Sequence, residues 1–129
     1  MQHRIALLTF LVRDYDEAIR YFTRVLPFAK TEDSALGAGK RWVVVSPVNQ
    51  SNSALLLAKA DGAEQEEHIG NQTGGRVFLF LHTDDFWRDF QAFKARGVTF
   101  IETPREEPYG TVAVFRDLYG NLWDLLEPK

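Results

Sequence analysis

The length and composition of the chain indicate one folded domain. Its 129 residues are enough for a substantial core, and 45% hydrophobic residues with 13% aromatics exclude a disordered chain. The formal net charge of −3 provides no broad basic field for nucleic acid or anionic membranes. Cysteine is absent, which excludes disulfides and thiolate metal sites, and every apolar run is too short for a membrane span. We therefore expect a cytoplasmic protein that begins without a signal peptide.

The first half of the chain predicts a strand, a helix and further strands. Residues 5–12 form an apolar run of strand length, in which Thr9 is the one polar member. Asp14 with Glu17 three places later resembles a capping box, and apolar residues follow at helical spacing until Pro27 stops the helix. The other strands predicted here are residues 42–45 and 54–58, with a polar turn at residues 49–53 before the second of them.

The second half repeats this order after a polar segment. Residues 61–75 are acidic and contain glycine, which predicts a linker between a first module at 1–60 and a second at 76–129. Asp85 is placed to cap a helix with an aromatic side, and Gly97 is a natural stop. When the second half is aligned with the first at a constant offset, Asp85 matches Asp14, which indicates an internal repeat. The strands predicted in this half are residues 77–83, 98–102, 111–116 and 122–126.

Two motifs give the chain a resemblance to a known family. They are the opening Val12-x-Asp14 followed by Ala18-Ile19-x-Tyr21-Phe22-x-x-Val25-Leu26, and the ending Asp117-x-x-Gly120-Asn121-x-x-Asp124-Leu125. With the repeated modules, they resemble the vicinal-oxygen-chelate superfamily of glyoxalase I, extradiol dioxygenases and the bleomycin- and fosfomycin-resistance proteins. The resemblance implies an α+β fold of two tandem βαβββ modules. These would form a curved mixed sheet, or half-barrel, around a cavity, with helices outside and a homodimer as the common assembly.

The metalloenzymes of that superfamily bind a divalent ion through four inward side chains, His, Glu or Gln. By resemblance those positions fall on Leu7, Leu56, Phe78 and Asp124. Three of the four are hydrocarbon, and one carboxylate does not hold a catalytic divalent ion with useful affinity. We therefore predict no metal and no cofactor in this chain.

Asp124 and His82 are the candidate catalytic residues. Asp124 lies between large apolar residues of a predicted strand, where a carboxylate needs a partner. One alternative is a structural salt bridge to Arg41 or Arg116, and the other is a polar or cationic group of a ligand. By alternation, His82 shares a strand face with Phe78 and Phe80 and would orient toward Asp124 as an acid–base partner. The alternative is that His82 only caps the next helix or forms a hydrogen bond with the backbone.

Further residues are candidates for contact with a ligand. Leu7, Thr9, Leu56, Phe78 and Phe80 would line an apolar, aromatic cavity. Arg41 and Trp42 open a strand and would flank its mouth, an arrangement suited to an anionic or aromatic ligand. Tyr109 follows a loop with two prolines that would cover the site, although such loops are also ordinary connections.

These observations leave three functions open. The first is a metal-independent protein that binds a small molecule, either storing it or transforming it through Asp124 and His82. The second is a divalent-metal-dependent lyase or dioxygenase whose ligands lie elsewhere in the chain. The third is a non-catalytic dimerisation module whose cavity is filled by leucine and phenylalanine. The sequence does not decide whether the protein is an enzyme.

Overall fold

The computed structural model describes residues 1–49 and 53–129, so the middle of the turn predicted at 49–53 lies outside the described residues. Two compact units are present, Met1–Ile69 and Gly70–Lys129. The elements of the first are β1 (Leu7–Val12), α1 (Tyr15–Arg24), β2 (Phe28–Gly37), β3 (Lys40–Pro47), β4 (Ala54–Lys59) and the short α2 (Ala63–Glu67). Its sheet has the order β1-β4-β3-β2, with β1 and β4 parallel and the other pairs antiparallel.

The second unit repeats this arrangement. Its elements are β5 (Val77–His82), α3 (Phe86–Ala95), β6 (Thr99–Phe100), β7 (Arg105–Glu107), β8 (Gly110–Arg116) and β9 (Leu122–Pro128). The sheet has the order β5-β9-β8-β6, with β5 and β9 parallel, and β7 also pairs with β8. The predicted α+β class with two βαβββ modules is confirmed. Each helix among the described residues is too short or too polar to cross a membrane.

The two long helices begin where the sequence predicts. An Asp14 carboxylate oxygen accepts a hydrogen bond from the amide of Glu17 at 2.8 Å, and Asp85 accepts one from the amide of Arg88 at 3.1 Å. Each cap satisfies an amide that has no partner within its helix. The repeated aspartates therefore mark the same structural position in both modules.

Each of the two long helices, α1 and α3, packs against one face of its own sheet and forms a small core there. In the first unit the rings of Phe10 and Phe22 meet edge to face, with centroids 5.3 Å apart. In the second, Phe115 packs between Phe93 at 5.7 Å and Trp123 at 5.5 Å. Burying these rings stabilises each unit, because apolar area removed from water dominates the folding free energy. The opposite face of each sheet remains for the candidate site.

Three elements differ from the sequence prediction. β2 carries the polar run of residues 30–34 and lacks the apolar alternation that indicates a strand, so it was not predicted as a separate segment. The short α2 lies inside the predicted linker and has no buried residue. β7 occupies part of the predicted proline loop, where it forms a brief ladder with β8. The order of β2 and β7 comes from pairing with a neighbouring strand, which the polarity of their own residues does not reveal.

The turn between β8 and β9 is organised by the buried carboxylate of Asp117. One oxygen accepts hydrogen bonds from the amides of Tyr119 at 2.9 Å and Asn121 at 3.0 Å. The other accepts from Nδ2 of Asn121 at 3.1 Å and from Nε1 of Trp123 at 2.8 Å. Burial raises the pKa of Asp117, while these hydrogen bonds lower it, Trp123 most strongly. The motif that carried the family resemblance thus has a structural purpose in this turn.

Replacing Gly70 by alanine is expected to destabilise the protein. Gly70 has φ +76°, and a Cβ there would collide with the backbone carbonyl of Tyr119 in the β8–β9 turn. We expect Gly70→Ala to lower the free energy of unfolding by roughly 2–4 kcal/mol, from left-handed strain plus the collision. Gly74→Ala is the matched control, because Gly74 has φ +66° but open space at its Cβ. Equal losses in urea unfolding of the two variants would contradict the close approach.

Candidate functional site

Asp124 lies on the sheet face of the second unit that is turned away from α3. In the ladder it pairs with Phe80 of β5 and with Val114 of β8, so these three side chains share a face. Its neighbour Trp123 points to the other face, where it stacks on Phe115 beneath the helix. Strand alternation therefore places the one acid of β9's apolar run on the face that has no helix of this unit.

The Asp124 carboxylate is buried without a hydrogen bond. The residue is 8% exposed, and Oδ1 is enclosed with no partner in the described part of the chain. Burial raises the pKa of Asp124, the positive charge of Arg105 lowers it, and the negative charge of Glu102 raises it. Neither Arg41 nor Arg116, the structural partners considered from the sequence, forms an ion pair with it among the described residues.

A cluster around Arg105 borders this face. Arg105 pairs with Val112 in the β7–β8 ladder, and its guanidinium bonds Glu102 at 3.1 Å and Glu107 at 3.0 Å. The same Glu102 oxygen accepts from the amide of Val114 at 3.0 Å. Hydrogen bonds to Tyr109 first, and then to Glu102, raise the pKa of Arg105. Tyr109, predicted to contact a ligand, thus lies beside Arg105, the cation whose charge lowers the pKa of Asp124.

Phe80 and His82 lie on Asp124's face. Phe80 is 62% exposed, unusual for a phenylalanine in the middle of a strand. His82 pairs with Leu126 one step further along the ladder, and it makes no hydrogen bond to Asp124. The helix cap considered as its alternative role belongs to Asp85. Phe78 lies within a register shift between Val77 and Leu79, so alternation alone does not assign its face.

The corresponding face of the first unit carries its own predicted residues. Thr9 pairs with Leu56, which pairs with Val44, and Leu7 and Trp42 share their side by alternation. Trp42 is 36% exposed, whereas Val44 is buried. Leu7, Thr9, Trp42 and Leu56 therefore share one face of the first sheet. Whether these faces jointly line a cavity stays a prediction.

Arg41 is occupied by carboxylates of its own unit. Its guanidinium bonds Asp33 at 2.8 Å and Asp16 at 2.9 Å, and its amide donates to the hydroxyl of Tyr15 at 3.1 Å. Hydrogen bonding to Arg41, and then to Lys30, lowers the pKa of Asp33 to about 2. This network fixes the start of β3, and it leaves Arg41 less available to an anionic ligand than the sequence alone indicates.

The metal positions implied by the resemblance do not fit an ion. Leu7, Leu56 and Phe78 offer hydrocarbon, and Asp124 is the single donor among the four. Nowhere in residues 1–49 and 53–129 do three or more His, Asp or Glu side chains come together in a metal-binding group. The donor chemistry of these four positions therefore does not match a divalent metal centre.

Comparison with known proteins gives the family. The model of the Glyoxalase/Bleomycin resistance protein/Dioxygenase superfamily matches residues 4–125, and the chain belongs to this superfamily. An uncharacterized protein of Shewanella frigidimarina (strain NCIMB 400) is 53% identical over 128 residues, covering 98% of this chain and 95% of its own.

Two solved structures share the fold and more than a quarter of the residues. UcmS2 is 29% identical with a TM-score of 0.85, covering 98% of this chain and 99% of its own. TnmS3, an antibiotic binding protein from Streptomyces sp. CB03234, is 26% identical with a TM-score of 0.78, covering 100% of this chain and 98% of its own. The fold resemblance thus extends over the whole chain.

The Arg105 cluster was missed by sequence reasoning. Its signal is a cation in an acidic stretch, with Glu102 before it and Glu106 and Glu107 after it. Such spacing is common in solvated loops, so the sequence does not distinguish an arginine beside a buried acid from an ordinary surface charge. The pairing of β7 with β8 makes that difference.

Proposed function

We propose that this protein binds a small aromatic molecule that carries a hydrogen-bond donor or a cationic group. The observation that supports the proposal is Asp124, a carboxylate that is almost fully buried and makes no hydrogen bond among the described residues. A protein that kept this side chain for structure alone would have paired it, because an unsatisfied buried acceptor costs about 1–3 kcal/mol. A ligand that donates to Asp124 supplies the missing partner.

The neighbours of Asp124 define the rest of the ligand. The exposed ring of Phe80, directly beside Asp124 in the ladder, offers a stacking surface for an aromatic group. Arg105 and Tyr109 provide donors at the border of the same face. Ligand sites of this type combine apolar walls with a few polar groups that fix orientation. The proposed occupant is therefore flat and largely apolar, with one amine, hydroxyl or amide aimed at the acid.

The comparisons support the binding of an antibiotic or a similar natural product. TnmS3 is described as an antibiotic binding protein, and the family's description includes bleomycin resistance. Leu7, Thr9, Leu56 and Trp42, which share one face of the first sheet, are proposed as further ligand contacts. The case for an anionic ligand at Arg41 is weaker, since that side chain already holds two carboxylates. The homodimer implied by the resemblance stays a prediction.

A titration with aromatic antibiotics that bear amino or hydroxyl groups, bleomycin among them, tests the proposal. Tryptophan fluorescence reports binding, and Trp87→Phe removes the exposed indole on α3, which leaves Trp42 as the exposed reporter. We expect saturable quenching by at least one compound. Asp124→Asn keeps the shape but removes the charge, and we expect it to weaken binding by about tenfold to a hundredfold.

Asp61→Asn is the matched control for charge. Asp61 is exposed in the segment before α2, and its replacement should leave the affinity unchanged. Saturable binding that survives Asp124→Asn at full strength contradicts the assigned role of Asp124. If no compound of the panel binds the wild-type chain, the proposed function is contradicted as a whole.

Acid–base catalysis is a second candidate, favoured by the raised pKa of Asp124. A carboxyl that holds its proton closer to neutrality is better suited to proton transfer, and His82 on the same face could exchange protons with it. The bound compounds recovered from the titration distinguish the two functions by mass spectrometry. A chemically altered compound that is formed by the wild type, and not by Asp124→Asn, indicates an enzyme.

A further inference from the structure

A cavity lies at one end of the second unit, apart from Asp124. It has a volume of about 260 Å³ and is enclosed by the segment Gly70–Arg76 on one side and by the β8–β9 turn on the other. Gly70 makes this arrangement possible, because its missing Cβ lets the segment touch the Tyr119 carbonyl. Asp124 is not among the lining residues, so the cavity is separate from the ligand face proposed above.

The lining of this cavity is positively charged. Arg76 and Arg116 both line it, and no acidic side chain does. Within the described residues, neither guanidinium group makes a hydrogen bond or an ion pair. Arg13, Arg41, Arg88 and Arg105, in contrast, each bind a carboxylate at 3.1 Å or less.

Two polar side chains of the lining, those of Asn121 and Thr73, are held in place by hydrogen bonds. Asn121 is 3% exposed and is held by Asp117 through both its amide and its side chain. The Thr73 hydroxyl donates to the carbonyl of Arg76, which anchors the backbone that carries one of the two guanidinium groups. Two guanidinium groups without a carboxylate partner, beside polar side chains that are held in place, are suited to recognise an oxyanion.

We propose that this cavity binds a small oxyanion, a phosphate or a carboxylate group, between Arg76 and Arg116. Two guanidinium groups present planar pairs of donors that match the oxygens of either ion. A volume of 260 Å³ accommodates an ion of this size together with several waters, each of which occupies about 30 Å³. The site is independent of Asp124 and of the aromatic ligand.

Amide NMR spectra of the isotope-labelled wild-type chain test this site. Inorganic phosphate and acetate are added in separate titrations, with sodium chloride adjusted to hold the ionic strength constant, because salt alone screens exposed charges. We expect saturable shifts in residues 70–76 and 116–122. Tighter binding of phosphate assigns the site to a phosphate-bearing ligand, and tighter binding of acetate assigns it to a carboxylate.

The variants decide whether the two arginines are responsible. Arg116→Gln and Arg76→Gln should each weaken binding by about tenfold, because each removes a charge-assisted contact. Arg24→Gln makes the same charge change on an exposed helix residue outside the cavity and should have no effect. Shifts that never saturate, or an equal loss in Arg24→Gln, overturn the proposal. Asp124→Asn should leave oxyanion binding intact even if the aromatic ligand fails to bind.

Discussion

Asp117→Ala is expected to cost the protein roughly 3–5 kcal/mol of unfolding free energy, the largest loss among the substitutions considered. The carboxylate accepts four hydrogen bonds in the β8–β9 turn, from the amides of Tyr119 and Asn121, from Nδ2 of Asn121 and from Nε1 of Trp123. Its removal leaves the buried donors of Asn121 and Trp123 unpaired, and each costs about 1–3 kcal/mol. Urea unfolding monitored by circular dichroism measures the loss.

Two further variants separate this network from a general effect of charge. Asp117→Asn keeps the shape of the side chain but turns an NH₂ group toward two of the donors, so it should also destabilise the protein. The loss should be smaller than in Asp117→Ala, because the remaining amide oxygen still accepts hydrogen bonds. Asp61→Ala removes an exposed acid and should stay within about 0.5 kcal/mol of the wild type. The near-ultraviolet signal of Trp123, which is 2% exposed, should change in both Asp117 variants. A stable Asp117→Ala protein with an unchanged Trp123 signal contradicts the network.

Asp124→Leu is expected to act in the opposite direction and to stabilise the fold by about 1–3 kcal/mol. The carboxylate has no hydrogen bond among the described residues, while its ladder partners Phe80 and Val114 are apolar. Leucine would bury hydrocarbon where a charge is now desolvated. The same variant should lose the aromatic ligand, because it removes the acceptor. A structural salt bridge would give the reverse outcome, a loss of stability when one partner is removed.

The pH dependence of this gain provides an independent check. The pKa of Asp124 in the folded chain is raised above its ordinary value of 3.8, so the folded state holds this proton more tightly than the unfolded state does. The wild type therefore loses stability as the pH rises from 3.8 through the raised pKa. The advantage of Asp124→Leu should be small near about pH 3 and complete above that interval. An advantage that shrinks with rising pH would contradict the burial of the charged form.

The sequence was sufficient wherever local pattern and tertiary environment agree. The capping aspartates Asp14 and Asp85 and the apolar strands β1 and β9 were predicted because each segment's own residues favour the observed structure. β2 was not, since its order comes from antiparallel pairing with β3. The face of Phe78 was assigned by strict alternation, which cannot anticipate the register shift beside it.

The sequence predicted a buried carboxylate at the candidate site, but it did not predict the residues that surround it. Asp124, among Leu122, Trp123 and Leu125, is predicted to be a buried carboxylate, because strand-interior positions with large apolar neighbours are buried on at least one face. Its surroundings depend on contacts distant in sequence, such as the reach of Glu102 to the amide of Val114. The ion pairs of Arg41 were also not predictable from local sequence, since its carboxylate partners come from α1 and β2.

The charged character of β2 has a consequence for how this protein behaves at high concentration. β2 is an edge strand, and such strands expose backbone groups that can template intermolecular pairing. Lys30, Glu32 and Asp33 line this one, and every residue from 30 to 37 is exposed. A second molecule that aligned there would have to desolvate several charges without compensation. The polar residues that kept β2 from being predicted as a strand thus also protect this edge of the sheet from forming fibrils.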